Sequence, residues 1–557
     1  MHPISYAAVA GLFTAATALP TSDSTLRARD IGKAGRISNF ADIPSSANLR
    51  WTPCYNRFHC ANLEVPLDYE NKAAGTTVVA WIRQEAGNGT AIDLLFNPGG
   101  PGGSGIDYIL SGGGDGIIKG TGGKYNVVSF DPRGVNASGI DLTCFPGHPE
   151  ARDAFAASSG TFSTDQEKYA EAVAYGRWCT AANNKTAVRY AGTVAVVQDM
   201  IHYTELQAAL NGKKPEDALI WYYGVSYGTV IGQTLAALYP NRLGRVILDA
   251  NVNGQDHYDG VTDTAVEDAD DGMLYFFKVC YEAGPKKCAF AGKSGSAKDI
   301  EKRFNDLLAK LEKNPLQSID PSFGGPGIIT KDRVLQILFS ALYAPSYYFK
   351  DMASALDALE TGNATKYLAI EAAAVPEINP GPFNYTINAQ GEVLSLVTAI
   401  DAAGRYPIDS VDDYVKAVDE IEKTSQWFGE GYAGLNPLIN AGMEIIPPKS
   451  QLFTGFKKTK TRVPVLFVNT NADPITPLSS AKHMSTFFEG SAVLIQNSGG
   501  HSYTNIPSKC TIGHVRSYLE TGKVPKDGTV CETDGKPLVD DLSSLSRRGL
   551  GMVVNRR

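Results

Sequence analysis

Histidine is scarce in this chain, with eight in 557 residues, so any general base must come from a short roster. Cysteine is equally rare: the eight cysteines include no Cys-x-x-Cys, and no His-x-x-x-His occurs. The clustered spacing of a zinc site is therefore missing, and the expectation is no metal and no cofactor. Basic residues are outnumbered, 51 Lys and Arg against 59 Asp and Glu, giving a formal net charge of −8. That balance, without any basic-aromatic patch, argues against nucleic acid or an anionic membrane surface as partner. Beyond the N-terminus no apolar run approaches the ~18 residues of a membrane span, so no membrane anchor is expected. There is no internal repeat.

What remains is a globular composition, 43% hydrophobic and 20% charged. The length exceeds what one simple core holds, which implies a core with a sizeable insertion. Ala7 to Ala18 is apolar and small-residue-rich, and Ala16-Thr17-Ala18 fits a cleavage site, so residues 1–18 are expected to be a secretory signal. Five Asn-x-Ser/Thr triplets, at Asn88, Asn136, Asn184, Asn363 and Asn384, are candidate N-glycosylation sites. The cysteines fall into sequence neighbours: Cys54 with Cys60, Cys144 with Cys179, Cys280 with Cys288, and Cys510 with Cys531. Many other pairings are open to eight cysteines, and proximity alone suggests these four. A secreted, glycosylated, disulfide-bonded protein is the resulting expectation.

The polar residues 19–50 read as an N-terminal arm or pro-segment. Leu63–Tyr69 and Thr76–Arg83 suggest antiparallel strands that open a sheet. Ile92–Asn97, Asn126–Asp131, Ala218–Tyr223 and Val246–Asp249 are short apolar strands, interleaved with helical stretches such as Thr193–Leu210. That alternation marks an α/β fold with a mostly parallel, doubly wound sheet. The core is assigned to 51–255 and 459–535, and 256–458 to a large, mainly helical insertion over it. Within the insertion Lys298–Lys313, Lys331–Tyr343, Phe349–Thr361 and Ser410–Lys423 read as helices. Val463–Asn469 and Ala492–Gln496 return as strands. Residues 536–557 are a polar tail containing the dibasic Arg547-Arg548.

One pentapeptide organises the core: Gly224-Val225-Ser226-Tyr227-Gly228, between an apolar strand and the helical Thr229–Tyr239. Strand, Gly-x-Ser-x-Gly and helix together make a nucleophile elbow, whose tight turn leaves no room for side chains flanking the serine. A serine hydroxyl needs a base and an orienting carboxylate, which follow it in the order acid, then histidine. Asp473 lies just past a strand end, and His501 lies in the equivalent loop after the next strand. His202 and His483 fall on helical patterns, while His59, His148, His257 and His514 lie outside the late strand-end loops. The catalytic candidates are therefore Ser226, Asp473 and His501. Oxyanion donors are expected from the backbone of Tyr227, after the nucleophile, and of Gly100, in the loop Pro98–Gly105. That loop lacks the residues of a phosphate cradle.

Taken together, Gly99-Gly100-Pro101-Gly102, Asp131-Pro132-Arg133-Gly134, the Ser226 pentapeptide, Asp473-Pro474-Ile475-Thr476-Pro477 and Gly500-His501 resemble the α/β-hydrolase serine peptidases of the prolyl and tripeptidyl aminopeptidase family. The stretch around Asp473 and His501, closed by Cys510 and Cys531, is similar to the C-terminal domain of the tripeptidyl branch. The resemblance covers roughly residues 60–535. It implies release of short N-terminal peptides without metal or cofactor, a small peptide or small-molecule substrate, and leaves the oligomeric state open. Two positions depart. Pro98 replaces a histidine ahead of the glycine loop. Ala399-Ile400-Asp401-Ala402-Ala403-Gly404 replaces the branch's Ala-Ile-x-Cys-x-Asp, where the missing aspartate bears on recognition of a free amine. Asp401 and the acidic cluster Glu267, Asp268, Asp270 and Asp271 are alternative carboxylates. The same machinery could equally serve an ester, lactone or amide, and an inactive binding protein is the third reading.

Overall fold

The computed structural model describes residues 37–542, except 88–91, 159–163, 322–325, 374–386 and 435–438. The signal stretch, Asn88, Asn384 and Arg547-Arg548 lie outside the described residues.

The main sheet holds β1 (Ser45–Ser46), β2 (Thr52–Cys54), β3 (Phe58–Pro66), β4 (Thr76–Gln84), β5 (Ile92–Asn97), β6 (Tyr125–Phe130), β7 (Ile220–Val225) and β8 (Leu243–Asp249). A separate hairpin follows, β9 (Leu316–Ser318) with β10 (Gly327–Ile329). β11 (Leu466–Ala472), β12 (Ala492–Gly499) and β13 (Thr529–Glu532) then complete the main sheet. The strand order is β1-β3-β4-β6-β5-β7-β8-β11-β12-β13, with β2 on β3. Every pairing from β6 to β13 is parallel, while β3 with β4 and β4 with β6 are antiparallel. This is an α/β fold with a mostly parallel, doubly wound sheet.

The strand sequences follow from their two covered faces. All six residues of β6 are buried, as expected where helices lie on both sides and no polar face is needed. Successive residues feed opposite cores. Leu94, Phe96 and Tyr223 pack with Ile106, Ile109, Tyr518 and Leu519 on one side. Leu95 and Tyr222 pack with Val197, Val230 and Ile231 on the other. That second core runs without a break into the helices inserted between β8 and β11, through Phe276, Phe304, Leu342 and Leu396.

Three of those inserted helices start at side-chain caps. The Ser296, Thr330 and Ser410 oxygens accept from the backbone N–H of Asp299, Arg333 and Asp413. Ala297–Lys313 buries Ile300, Phe304, Leu307, Leu308 and Leu311 along one stripe. Two long helices, Asp165–Asn183 and Ile387–Ala402, escape the sequence reading. Strand β3 runs Phe58–Pro66 rather than Leu63–Tyr69. The part of the N-terminal arm from Ile37 onward is packed: Phe40, Ile43 and Leu49 are buried, and the Asn62 amide donates to the Phe40 and Ile43 carbonyls at 2.9 Å each.

All four neighbour pairings form disulfides: Cys54–Cys60, Cys144–Cys179, Cys280–Cys288 and Cys510–Cys531. His514 lies beside the last, whose sulfurs are bonded to each other and so are not thiolate ligands. Of the sequons, Asn184 and Asn363 are exposed. Asn136 corrects the expectation at its position. Its side chain is buried, and the amide nitrogen donates to Ser104 Oγ (3.2 Å) and Asp107 Oδ2 (3.4 Å), which leaves no space for a glycan.

Candidate active site

Ser226 ends β7 in a conformation that few non-glycine residues adopt, with φ 58° and ψ −129°. The flanking glycines make this turn sterically feasible. A Cβ on Gly224 would sit 2.2 Å from the Gly228 carbonyl oxygen, and one on Gly228 2.6 Å from that of Asn97. The helix Tyr227–Leu238 starts directly after the serine, so its unpaired N–H groups and dipole face the hydroxyl. Ser226 is half-buried, and its Oγ has no hydrogen-bond partner among the described residues.

The glycine loop after β5 is held against this elbow. Asn97 Oδ1 accepts the Gly99 N–H at 3.0 Å, and the Gly103 N–H donates to the Gly99 carbonyl at 3.1 Å. A Cβ on Gly99 would lie 2.7 Å from Ser226 Cβ and 3.1 Å from the Tyr227 nitrogen, so the contact admits only glycine. Asn97 thus occupies the Gly99 N–H. Among the described residues no protein group accepts from the N–H of Gly100 or of Tyr227.

Asp473 and His501 come from the carboxyl ends of β11 and β12, the end of an open parallel sheet where loops converge. The carboxylate is fully buried and is itself oriented: Oδ1 accepts from the N–H of Ile475 (3.1 Å) and Thr476 (3.0 Å). Both its oxygens lie 3.0 Å from His501 Nδ1, and Thr476 Oγ1 lies 3.2 Å from the same nitrogen. A proton on Nδ1 that donates to Asp473 leaves Nε2 as the accepting nitrogen of the ring. Tyr343, which ends the inserted helix Lys331–Tyr343, packs edge-on to His501 at 5.0 Å and accepts its backbone N–H at 2.9 Å.

Asp249, at the end of β8, joins the serine and histidine loops, a role that sequence reasoning missed. Its carbonyl accepts the Ser226 N–H at 3.1 Å. Its carboxylate accepts Ser502 Oγ (2.5 Å), Tyr223 OH (3.0 Å) and the Tyr503 N–H (3.2 Å). Burial pushes this carboxyl up to about 6, against the lowering by those donors. The available signal was a buried apolar strand, Val246-Ile247-Leu248, that ends in a charge. Ala250 (φ 57°) and Ser502 (φ 81°) join Ser226 as non-glycine residues at positive φ, so backbone strain gathers at this sheet end.

The alternative carboxylates are already engaged. Glu267 accepts Ser479 Oγ at 2.6 Å, Asp268 accepts the Leu478 N–H at 2.8 Å, and Asp270 accepts Ser425 Oγ at 2.6 Å and the Gln426 N–H at 2.9 Å. Burial also pushes Asp268 up to about 6. Asp401 is buried and accepts from the Thr193 N–H (2.8 Å) and His257 Nε2 (2.9 Å). Asp271 alone of the cluster is an exposed side chain without such a bond.

Comparison with known proteins agrees with the fold. A family model described as alpha/beta hydrolase fold matches residues 94–316, and one described as TAP-like protein matches residues 446–531. The chain is 25% identical over 522 residues to the serine protease Hip1 of Mycobacterium tuberculosis, covering 89% of this chain and 93% of that protein. It is 24% identical over 507 residues to the tripeptidyl aminopeptidase of Streptomyces lividans, covering 88% of each. A shorter stretch of 89 residues is 35% identical to carboxylesterase B of Mycobacterium tuberculosis, covering 15% of this chain and 16% of that protein.

Proposed function

The chain belongs to the TAP-like α/β-hydrolase family, and from that premise we propose that it is a secreted serine aminopeptidase that releases short peptides from free N-termini. The observation that carries the reading is the convergence at one sheet end of a half-buried serine on a strained elbow, a histidine bonded to a buried carboxylate, and two unengaged N–H groups.

In this reading His501 Nε2 takes the proton as Ser226 Oγ attacks the scissile carbonyl carbon. The C–N bond survives into the tetrahedral species, whose oxyanion accepts from the N–H of Gly100 and Tyr227. Collapse breaks the C–N bond, and His501 returns the proton to the leaving amine. Water, deprotonated by the same nitrogen, then releases the acyl group from Ser226. Asp473 holds the ring and stabilises its charged form throughout. Four disulfides support passage through an oxidising compartment, and no helix among the described residues is long and apolar enough to cross a membrane.

A second reading, hydrolysis of an ester or small amide, is favoured by one observation. Asp401 and every member of the acidic cluster except Asp271 are turned to internal hydrogen bonds, which leaves a single one of these carboxylates without such a partner for a free amine. Purified protein and Ser226→Ala would be assayed on free-amine mono-, di- and tripeptide anilides, their N-blocked twins, and short-chain esters. Serine-dependent turnover confined to free-amine anilides is expected and would give the length released. Turnover of esters alone, or of blocked and free peptides alike, would sink the aminopeptidase claim.

A further inference from the structure

Tyr227 serves the proposed reaction through its backbone N–H, yet its side chain is also tied down. The phenol lies 2.5 Å from Thr193 Oγ1, and both side chains are buried. A threonine hydroxyl has one proton to give. The Thr193 hydroxyl donates to Asp401 Oδ2, so it accepts from the Tyr227 phenol. Asp401 closes the chain from the other direction, with Oδ1 accepting the Thr193 N–H at 2.8 Å and Oδ2 lying 2.9 Å from His257 Nε2. All the donors run one way, from tyrosine to threonine to carboxylate, with histidine meeting them there.

Three segments distant in sequence supply these groups. Thr193 opens the helix Thr193–Leu210, His257 lies on the short helix Gly254–Asp259, and Asp401 is near the end of the inserted helix Ile387–Ala402. The helix Thr193–Leu210 has no side-chain cap of its own, because Gly192 precedes it. Asp401 takes that place, and a Cβ on Gly192 would come within 2.8 Å of its Oδ1. The inserted helix therefore reaches under the nucleophile elbow and holds the residue that follows the serine.

Building on the serine-hydrolase reading, we infer that Asp401, Thr193 and His257 are positioning residues that aim the Tyr227 N–H at the oxyanion. The network fixes the ring of Tyr227, and with it the orientation of a donor whose value depends on sub-ångström placement.

The test uses full-length Thr193→Val, Thr193→Ser, Tyr227→Phe, Asp401→Asn and Ser226→Ala. The readouts are kcat per site titrated with a fluorophosphonate, KM, the fluorophosphonate labelling rate and the melting temperature. Thr193→Val, Tyr227→Phe and Asp401→Asn are expected to lose about tenfold in kcat and labelling rate with KM little changed, and Thr193→Ser to recover most of it. A merely structural role would lower the melting temperature and the titratable fraction but leave kcat per titrated site intact, and that result overturns the inference. Should Asp401→Asn fail to fold, Thr193→Val and Tyr227→Phe decide, since neither leaves a charge unpaired. Full activity in Ser226→Ala would overturn the serine reading and this inference with it. An inert Ser226→Ala beside unchanged Thr193→Val and Tyr227→Phe would overturn the inference alone.

Discussion

Single residues at the ends of β5, β7, β8, β11 and β12 set the chemistry available here, and Asp249 is the one whose removal is most informative. It holds the His501 loop through Ser502 and Tyr503, and the elbow strand through Tyr223. Asp249→Ala strands these donors in a fully buried place, which should cost about 1–3 kcal/mol of stability. It should also lower kcat about tenfold or more, because the base loop loses its tether. Denaturant midpoints and kcat per titrated site would check both, and unchanged kcat in the folded variant would refute the tether. The candidate triad could be named from the sequence because each member follows an apolar strand and has a glycine or proline within two residues. Asp249 could not, since a strand-ending aspartate says nothing of the loop it will meet. Asn136 misled in the opposite direction: its triplet is intact, but the folded chain spends its amide on Ser104.

At the scale of elements, the inserted helix Ile387–Ala402 is hard to read from sequence yet ties the insertion to the core through Asp401 and Glu392. Leu394, Ser395, Leu396, Val397 and Thr398 are buried in succession, so burial goes all the way round and no exposed polar face sets off an amphipathic stripe. Amphipathic Ala297–Lys313, by contrast, was read to within a residue of its start. Besides Asp401, the buried helix carries Glu392, which accepts Thr143 Oγ1 (2.5 Å) and the Cys144 N–H (2.8 Å) from the core. Burial pushes Glu392 from 4.5 up to about 7, with the Thr143 and Cys144 donors and then the Arg152 cation offsetting only part. A raised carboxyl stabilises the fold fully below its unfolded value, and that contribution fades as pH rises through the folded one. The window here runs from about 4.5 to about 7. Glu392→Gln keeps the neutral amide contacts and cannot ionise. The variant should match wild type near pH 4.5 and exceed it above pH 7 by up to about 3 kcal/mol. Parallel melting curves for the two proteins across that range would contradict this.

For the molecule as a whole, the mostly parallel sheet was readable, because short apolar strands alternate with helices, whereas the order in which those strands lie side by side was not. Contacts such as Asp401 with Thr193 were not, since they join residues 208 apart that only the finished fold brings together. The disulfides were legible because each closes a short loop, and loop size also ranks them. Cys144–Cys179 spans 35 residues and Cys54–Cys60 spans 6. Chain entropy then predicts that the Cys144→Ala/Cys179→Ala pair destabilises more than Cys54→Ala/Cys60→Ala by about 1.5 kcal/mol, measured by denaturant unfolding. Equal losses would point to native packing rather than loop closure. The join between β8 and β11 also bears on how the chain is made. A ribosome finishes β8, with Val246, Ile247 and Leu248 ready to be buried, and must then thread out residues 250–465 before the neighbouring strand exists. Throughout that interval the nascent sheet presents an open, greasy margin to whatever else is nearby. Slowing translation within 250–465 would lengthen that exposure, and the expected outcome is more aggregated chain in a sedimentation assay of the translation products.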